Sequence, residues 1–326
     1  MIPIESIKKP IVEEFDLFQQ YYKQAFKTDN PILAGVYEYV LSVKGKQLRP
    51  ILLLLAAKIC GIPNERTFYS AVVLEMLHTV SLIHDDVVDD TLERRGKKSL
   101  NAQFGNQVAV LSGDYLLSCC MNICFEKLSM NTSGQSILSS LVGELSSGEL
   151  LQMYCADQML CNKEQYFQII NKKTAALFMS CTKLGAVSVD ANSALVEKMA
   201  LLGQYLGICF QIRDDIFDYS PQMNVGKPQM HDVQEGKITL PLIIALRNAS
   251  QAERDFVMKF VKRKDFSEEN LAFLISFVEK NQGIIGALHE INFYQNRVKE
   301  ILSEFPDSEC KNALLSFTDY VGSRVF

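Results

Sequence analysis

The sequence predicts an all-α protein, a single-domain helical bundle over residues 1–326. Apolar residues recur at three- and four-residue intervals through long runs, the spacing of helices with one buried face. Alternating β-branched runs are few, and proline is scarce, with 9 in the chain. No linker, low-complexity segment or repeat beyond one short acidic motif divides the chain, whose length suits one large domain or two small ones.

Composition narrows the function. Hydrophobic residues make up 48 % and charged residues 22 %, the balance of an ordinary soluble globule. A net charge of −5 argues against a general nucleic-acid binder. Nine cysteines is an odd count, and most, including Cys119, Cys120, Cys124, Cys181 and Cys209, lie in apolar helical runs. Cys120 and Cys124 have metal-ligand spacing, but no second pair or histidine set accompanies them. They read as reduced core thiols of a cytoplasmic protein. The N-terminus lacks a charged-then-apolar signal pattern. Lys, His or Asp interrupts the longest apolar runs before membrane-spanning length, so no integral membrane segment is expected.

The elements follow in order. Residues 10–26 read as an amphipathic helix. Asn30-Pro31 opens the next, with proline at an early helical position, and it ends near Val43. In Lys44-Gly45-Lys46-Gln47-Leu48-Arg49-Pro50, Gly45 permits a turn and Pro50 fixes the start of a further helix. Lys46 and Arg49 then flank a helix N-terminus, itself an anion site; a basic loop in water is the alternative. Residues 51–60 are apolar nearly all round and predict a buried helix. After the turn at 61–64 comes a long apolar helix, about 67–83, with His78 two turns before Asp85. A lone histidine there is most often hydrogen-bonded near the core. Arg94-Arg95-Gly96 leads through a loop to 101–105 and a helix over 107–127. Gly113 beside Asp114 permits close helix contact there, with Asp114 in a supporting or packing role. Residues 131–134 predict a loop, and the helix beyond carries Glu144 and Glu149, neither assigned to metal. Asn162 caps a helix holding Lys172, Lys173 and Thr174 within 166–184; a lysine pair in an apolar helix either snorkels or grips an anion. Residues 189–193 turn, another apolar helix covers 200–212, and Leu240-Pro241 starts the next. From 253 to 326 the pattern gives three or four amphipathic helices without a chemical constellation, forming a packing layer or a solvated or dimer-facing surface.

Two acidic motifs stand at helix ends. Asp85 and Asp89 are four apart and share a helix face, with Asp86 flanking it. Stacked carboxylates repel, and the macrodipole disfavours negative charge at a helix C-terminus. Hard cations such as Mg²⁺ relieve both, and Mg²⁺ commonly brings a phosphate. Asp214, Asp215 and Asp218 repeat the spacing before a loop holding Pro221, Gly226 and Pro228. Basic residues follow each motif: Arg94 and Arg95 after the first, Lys227 and Lys237 after the second. Acid for metal and base for the remaining phosphate oxygens suit a diphosphate held between two helix ends.

In its motifs the chain resembles the trans-isoprenyl diphosphate synthases of the polyprenyl synthetase family. These are Lys46-x-x-Arg49-Pro50, His78, Asp85-Asp86-x-x-Asp89 with Arg94-Arg95-Gly96, Gly113-Asp114, Lys173-Thr174, Phe210-Gln211-x-x-Asp214-Asp215-x-x-Asp218, and Gly226-Lys227-Pro228 through Glu235-Gly236-Lys237. The resemblance covers nearly the whole chain. It implies the isoprenoid synthase fold around a deep central cavity, two or three Mg²⁺ ions per site, and a homodimer. It implies condensation of isopentenyl diphosphate with an allylic diphosphate. Asp85, Asp89 and Asp214 would hold the metal, with Asp86, Asp215 and Asp218 completing the acidic set. Arg94, Lys173, Lys227 and Lys237 would grip the allylic diphosphate, and Thr174 and Gln211, beside Phe210, would face the allylic cation. Lys46, Arg49, His78 and Arg95 would hold isopentenyl diphosphate. The sequence departs from the family's usual pattern at Lys44, Gln47 and Gln229-Met230-His231, where further glycines or a basic residue are common.

Product length is steric. A growing chain running back along the helix that ends at Asp85 gains about one isoprene unit per 5.4 Å helical turn. Ser81 and Val80 guard the first turn, and Leu77 and Met76 the next. None is aromatic, and the first motif carries no insertion, which favours a product longer than twenty carbons. Met121 or Phe125 is the expected floor. Such a product is membrane-soluble, so loose membrane contact is compatible with a cytoplasmic enzyme. Farnesyl or geranylgeranyl diphosphate synthase is the alternative. A terpene cyclase would not need Lys46, Arg49 and Arg95, and a non-catalytic subunit of a two-component synthase would be expected to lose aspartates. A Ca²⁺ module is excluded by the lack of an EF-hand loop.

Overall fold

The computed structural model describes residues 2–43, 45–128, 132–158, 162–219 and 230–323. Among the described residues the regular elements are helices, apart from one hairpin of two two-residue strands. In chain order the helices are α1 (Ile4–Lys8), α2 (Val12–Ala25), α3 (Pro31–Ser42), α4 (Leu48–Cys60), α5 (Glu65–Val88), α6 (Leu100–Phe104), α7 (Asn106–Lys127), α8 (Thr132–Gln158) and α9 (Lys163–Ile170). Then come α10 (Ala176–Ser188), α11 (Ser193–Asp218), α12 (His231–Gln234), α13 (Leu240–Asn248), α14 (Gln251–Arg263), α15 (Glu268–Lys280), α16 (Gly283–Ser303) and α17 (Glu309–Ser323).

Side-chain caps set many of the starts. Asn30, Asn162 and Asn192 each accept the amide of a residue two or three further on. Asn64 forms a capping box with Thr67 at the head of α5. Each such cap stabilises a helix by about 1 kcal/mol.

The core is built on α4, α5, α10 and α11. Residues Ile51 to Ala57 of α4 are fully buried, so this short helix is an axle rather than an amphipathic surface helix. It packs on α5 and α10, and α11 packs on α10 and α16. Small residues permit the close α10–α11 crossing. A Cβ at Gly203 would come 2.5 Å from Phe178 O, and one at Gly207 2.5 Å from Ala175 Cα. The Thr182 hydroxyl fastens the same crossing by donating to Met199 O at 2.5 Å. Leu242, Val257, Phe260, Leu274 and Phe277 form a second apolar cluster among α13, α14 and α15, so the C-terminal helices do pack as a layer.

Several elements differ from the sequence reading. The loop expected at 131–134 is already helical from Thr132. Residues Asn171–Ala175 form a π turn between α9 and α10, where one continuous α-helix was expected. The stretch after the first acidic motif is a hairpin of β1 (Glu93–Arg94) and β2 (Lys97–Lys98), with Glu93 opposite Lys98. Arg95 and Gly96 both have positive φ, as a tight hairpin turn requires. Helix α7 is long and apolar enough to cross a membrane by length and composition alone, contrary to the expectation that every apolar run is broken short. It packs along α5 and carries Asp114 in its middle.

Candidate active site

Helix α5 delivers the first motif. It ends at Val88, and Asp89 is its C-terminal cap. Asp85 is half-buried, and burial pushes its carboxyl up to about 6; nearby Lys173 opposes the rise, while Glu149 and Asp89 add to it. Burial also raises Asp89, against the pull of Lys237. Lys237 Nζ sits 2.6 Å from Glu235 and 3.7 Å from Asp89. Lys173 is paired with Glu149, which also accepts from Gln152 Nε2 at 3.2 Å. Segments around positions 85–89, 149–152, 173 and 235–237 therefore meet in one charged cleft.

Asp86 faces elsewhere. Its carboxylate is buried and forked by Arg94, with Nε at 2.8 and 3.0 Å and Nη2 at 2.5 Å. Asn101 Nδ2 donates to the Asp86 carbonyl at 3.1 Å. The middle aspartate thus clasps the hairpin onto α5. Arg94, expected on the allylic diphosphate, is turned to this clasp.

Helix α11 delivers the second motif. Asp215 is 1 % exposed, accepting from Tyr166 Oη at 2.5 Å and from Gln211 Nε2 at 2.8 Å. Burial first, then Asp232, hold its carboxyl well above the usual range. Each carboxylate oxygen thus accepts one hydrogen bond, which ties Asp215 into a network with Tyr166 and Gln211. Gln211 Oε1 accepts from the Thr174 hydroxyl at 2.7 Å. Asp218 Oδ2 accepts the Asp232 amide at 3.3 Å, which returns the chain toward the motif. A cavity of about 140 Å³ is lined by Lys173, Thr174, Gln211, Asp215, Asp232 and Lys237. Lys237 thus reaches Asp89 of the first motif and shares a cavity with Asp215 of the second. Lys227, with Pro221, Gly226 and Pro228, lies outside the described residues.

Of the residues read as an isopentenyl diphosphate site, Arg49 and Arg95 are both within electrostatic reach of His78. Lys46 Nζ stands 5.8 Å from the Tyr320 ring of α17. The Arg49 guanidinium lies 5.6 Å from the Phe178 ring and 6.0 Å from the Phe210 ring. His78 is buried, and burial, then Arg49, Arg95 and Arg94, push its pKa well below the ordinary value. Arg95 lies against Gly45, donates to Val43 O at 3.3 Å, and lines a separate cavity of about 250 Å³ with Glu75, Thr79 and Arg94.

Glu75, Glu149 and Tyr166 were missed by sequence reasoning. Glu75 is buried near Arg49 and Arg95, and burial raises its pKa. The available signal was a lone carboxylate inside the apolar run before His78. Met76, Leu77 and Val80 are buried, and Ser81 Oγ donates to His78 O at 2.9 Å. Met121 and Phe125 are 51 % and 66 % exposed, so within this chain they form no tunnel floor. Leu116 and Cys120 of the same helix are buried instead, and Cys120 Sγ lies 3.9 Å from Val73 O of α5.

Among the described residues no three metal-ligating side chains converge on one point. Mg²⁺ does not require it, since it is usually held by one or two carboxylates plus waters and substrate phosphates. The hard oxygen donors of Asp85 and Asp89, strained by burial and mutual repulsion, suit such an ion.

Known proteins resemble the chain over nearly its whole length. Residues 30–278 match the family described as polyprenyl synthetase. The chain is 32 % identical to the all-trans-nonaprenyl-diphosphate synthase (geranyl-diphosphate specific) of Rhodobacter capsulatus, over 98 % of each chain. Its fold matches a polyprenyl synthase from Caulobacter crescentus solved with calcium and isoprenyl diphosphate, at TM-score 0.92 and 27 % identity, covering 99 % of this chain and 98 % of that one. It also matches a geranylgeranyl pyrophosphate synthase from Bacteroides thetaiotaomicron, at TM-score 0.84 and 37 % identity, covering 98 % and 99 %. The chain belongs to the polyprenyl synthetase family.

Proposed function

We infer that the protein is a trans-prenyltransferase that condenses isopentenyl diphosphate with an allylic diphosphate to give a polyprenyl diphosphate longer than twenty carbons. One observation carries the chemistry: Lys237 reaches Asp89 and lines a cavity with Asp215, so the two acidic helix ends serve one cleft. The calcium and isoprenyl diphosphate named for the Caulobacter structure are the same ligand classes. The nonaprenyl relative supports a long product, as does the lack of an aromatic residue at Val80 or Ser81.

In this reading Asp85, Asp89 and Asp214 hold two or three Mg²⁺ ions, with Asp218 in support. Bound Mg²⁺ supplies Lewis-acid charge to the leaving diphosphate as its carbon–oxygen bond breaks. Lys173 and Lys237 exchange their carboxylate partners for diphosphate oxygens, with Lys227 as a third grip. Thr174 Oγ and Gln211 Oε1 offer lone pairs to the developing allylic cation, a preorganised electrostatic stabilisation. Lys46, Arg49 and Arg95 bind the isopentenyl diphosphate, and His78, neutral by burial, adds a hydrogen bond. Much of the acceleration is positioning of the isopentenyl double bond against the cation. The departing diphosphate takes the final proton.

The partner surface is a second copy of the chain. Leu111, Tyr115, Met121 and Phe125 on α7 and Leu150, Met153 and Tyr154 on α8 are exposed apolar residues suited to it. The cytoplasm, with loose membrane contact for an apolar product, is the proposed location.

Purified protein given labelled isopentenyl diphosphate, allylic primer and Mg²⁺ should make chains beyond twenty carbons. No metal-dependent incorporation would reject prenyl transfer. A dominant twenty-carbon product would support the second reading, geranylgeranyl synthesis, which the 37 % identity to the Bacteroides enzyme favours.

A further inference from the structure

A hydrogen-bond chain leads from a buried tyrosine to the residues placed at the reacting carbon. It starts at Tyr166 on α9, 6 % exposed, and passes through Asp215, Gln211 and Thr174. A carboxylate oxygen that meets an N–H or O–H accepts from it, whereas an amide side chain has an accepting and a donating end. Asp215 takes the Tyr166 hydroxyl on Oδ2 at 2.5 Å and the Gln211 Nε2 on Oδ1 at 2.8 Å. That contact turns Gln211 Oε1 toward Thr174, whose hydroxyl donates to it at 2.7 Å. Thr174, its one proton committed, has only lone pairs left to offer. Thr174 and Gln211 both line the cavity that Asp215 shares with Lys173 and Lys237.

We propose that Tyr166 is a positioning residue which, through Asp215, fixes the end of the Gln211 amide that faces the allylic cation. The inference rests on the prenyl-transfer reading above. The amide oxygen stabilises positive charge, and the amide NH₂ opposes it. A reversed Gln211 would aim its NH₂ at Thr174 and the cation. Removing the Tyr166 hydroxyl strips a buried carboxylate oxygen of its donor and frees Asp215 from the orientation that holds Gln211. The resulting loss belongs to the chemical step, because neither Tyr166 nor Asp215 need touch a diphosphate.

The test is a double-mutant cycle, assayed below the melting temperature of every variant. Tyr166→Phe should lower kcat about 10-fold, the size of one lost buried hydrogen bond, while both KM values and the Mg²⁺ dependence stay within about twofold. In a Gln211→Ala background the same change should cost less than about twofold, because the residue it orients is gone. Asp215→Asn is the second variant. Its oxygen can still serve Tyr166, but its NH₂ then faces Gln211 and reverses that amide. It should cost about 100-fold in kcat, with an unchanged Mg²⁺ half-saturation and again little effect without Gln211. The inference is overturned by wild-type kcat in Tyr166→Phe, by equal losses with and without Gln211, or by a loss carried in KM. A shifted Mg²⁺ half-saturation in Asp215→Asn would make Asp215 a metal ligand and overturn it too. Absence of transfer by the unaltered protein overturns the functional reading, and this inference with it. Transfer by the unaltered protein together with any of the other adverse results overturns this inference alone.

Discussion

Asp85 and Asp86 are adjacent in sequence and divided in task. Asp85 stands in the charged cleft, and Asp86 is locked under Arg94. Asp85→Ala should remove about 100-fold or more of the Mg²⁺-dependent rate, as loss of a metal ligand does, with an unchanged melting temperature. Arg94→Ala should instead destabilise the fold by about 2 kcal/mol, because it leaves a buried carboxylate without its donor; thermal melting separates the two. His78 has its own signature. Its folded pKa lies below the unfolded value near 6.5, so the unfolded chain binds its proton first. Stability present above pH 6.5 is lost as pH falls toward the lower folded value. His78→Gln should flatten the fall of melting temperature between about pH 6.5 and 5 relative to the unaltered protein; an identical slope would contradict this. The carboxylate spacing placed Asp85 and Asp89 on one face from sequence alone. The fate of Asp86 was not legible there, because it depends on a hairpin folding back to supply Arg94. Nor was that of Glu149, whose partner Lys173 comes from another helix.

The elements themselves were largely legible, because their signals are local. Asn30, Asn162 and the proline starts mark helix beginnings through chemistry confined to one turn. The π turn at Asn171–Ala175 was not legible, since packing rather than spacing selects a wide turn. That turn sends Lys172 to Glu144 at 2.8 Å and Lys173 to Glu149, so adjacent lysines both reach α8. Helix α5 carries the length prediction. Val80 and Ser81 lie one turn before Asp85 and carry small side chains. Ser81→Phe should shorten the product by one or more isoprene units, since a ring there fills about one 5.4 Å turn of the path. Chromatography of the hydrolysed products reads this directly, and an unaltered distribution would place the path elsewhere.

At the scale of the whole molecule, two apolar clusters hold the helices as a frame around a polar cleft. One broad apolar strip on α7 and α8 remains outside both. The proposed pairing of two copies through this strip predicts that Phe125→Glu combined with Tyr154→Asp lowers the mass seen in light scattering to that of one chain, without loss of helix content, because these side chains are already exposed in the single chain. Diphosphate with Mg²⁺ should raise the melting temperature by several degrees at saturating ligand, and Asp85→Ala should abolish that rise. The cleft itself sets one more property. Its lysines are not waiting cations: Lys173 rests on Glu149, and Lys237 on Glu235 and Asp89. At rest these two lysines face three carboxylates, so a bare anion arriving alone meets a surplus of negative charge. Only a guest carrying its own countercharge gives the displaced carboxylates somewhere to go, and the pocket thereby screens visitors by what accompanies them.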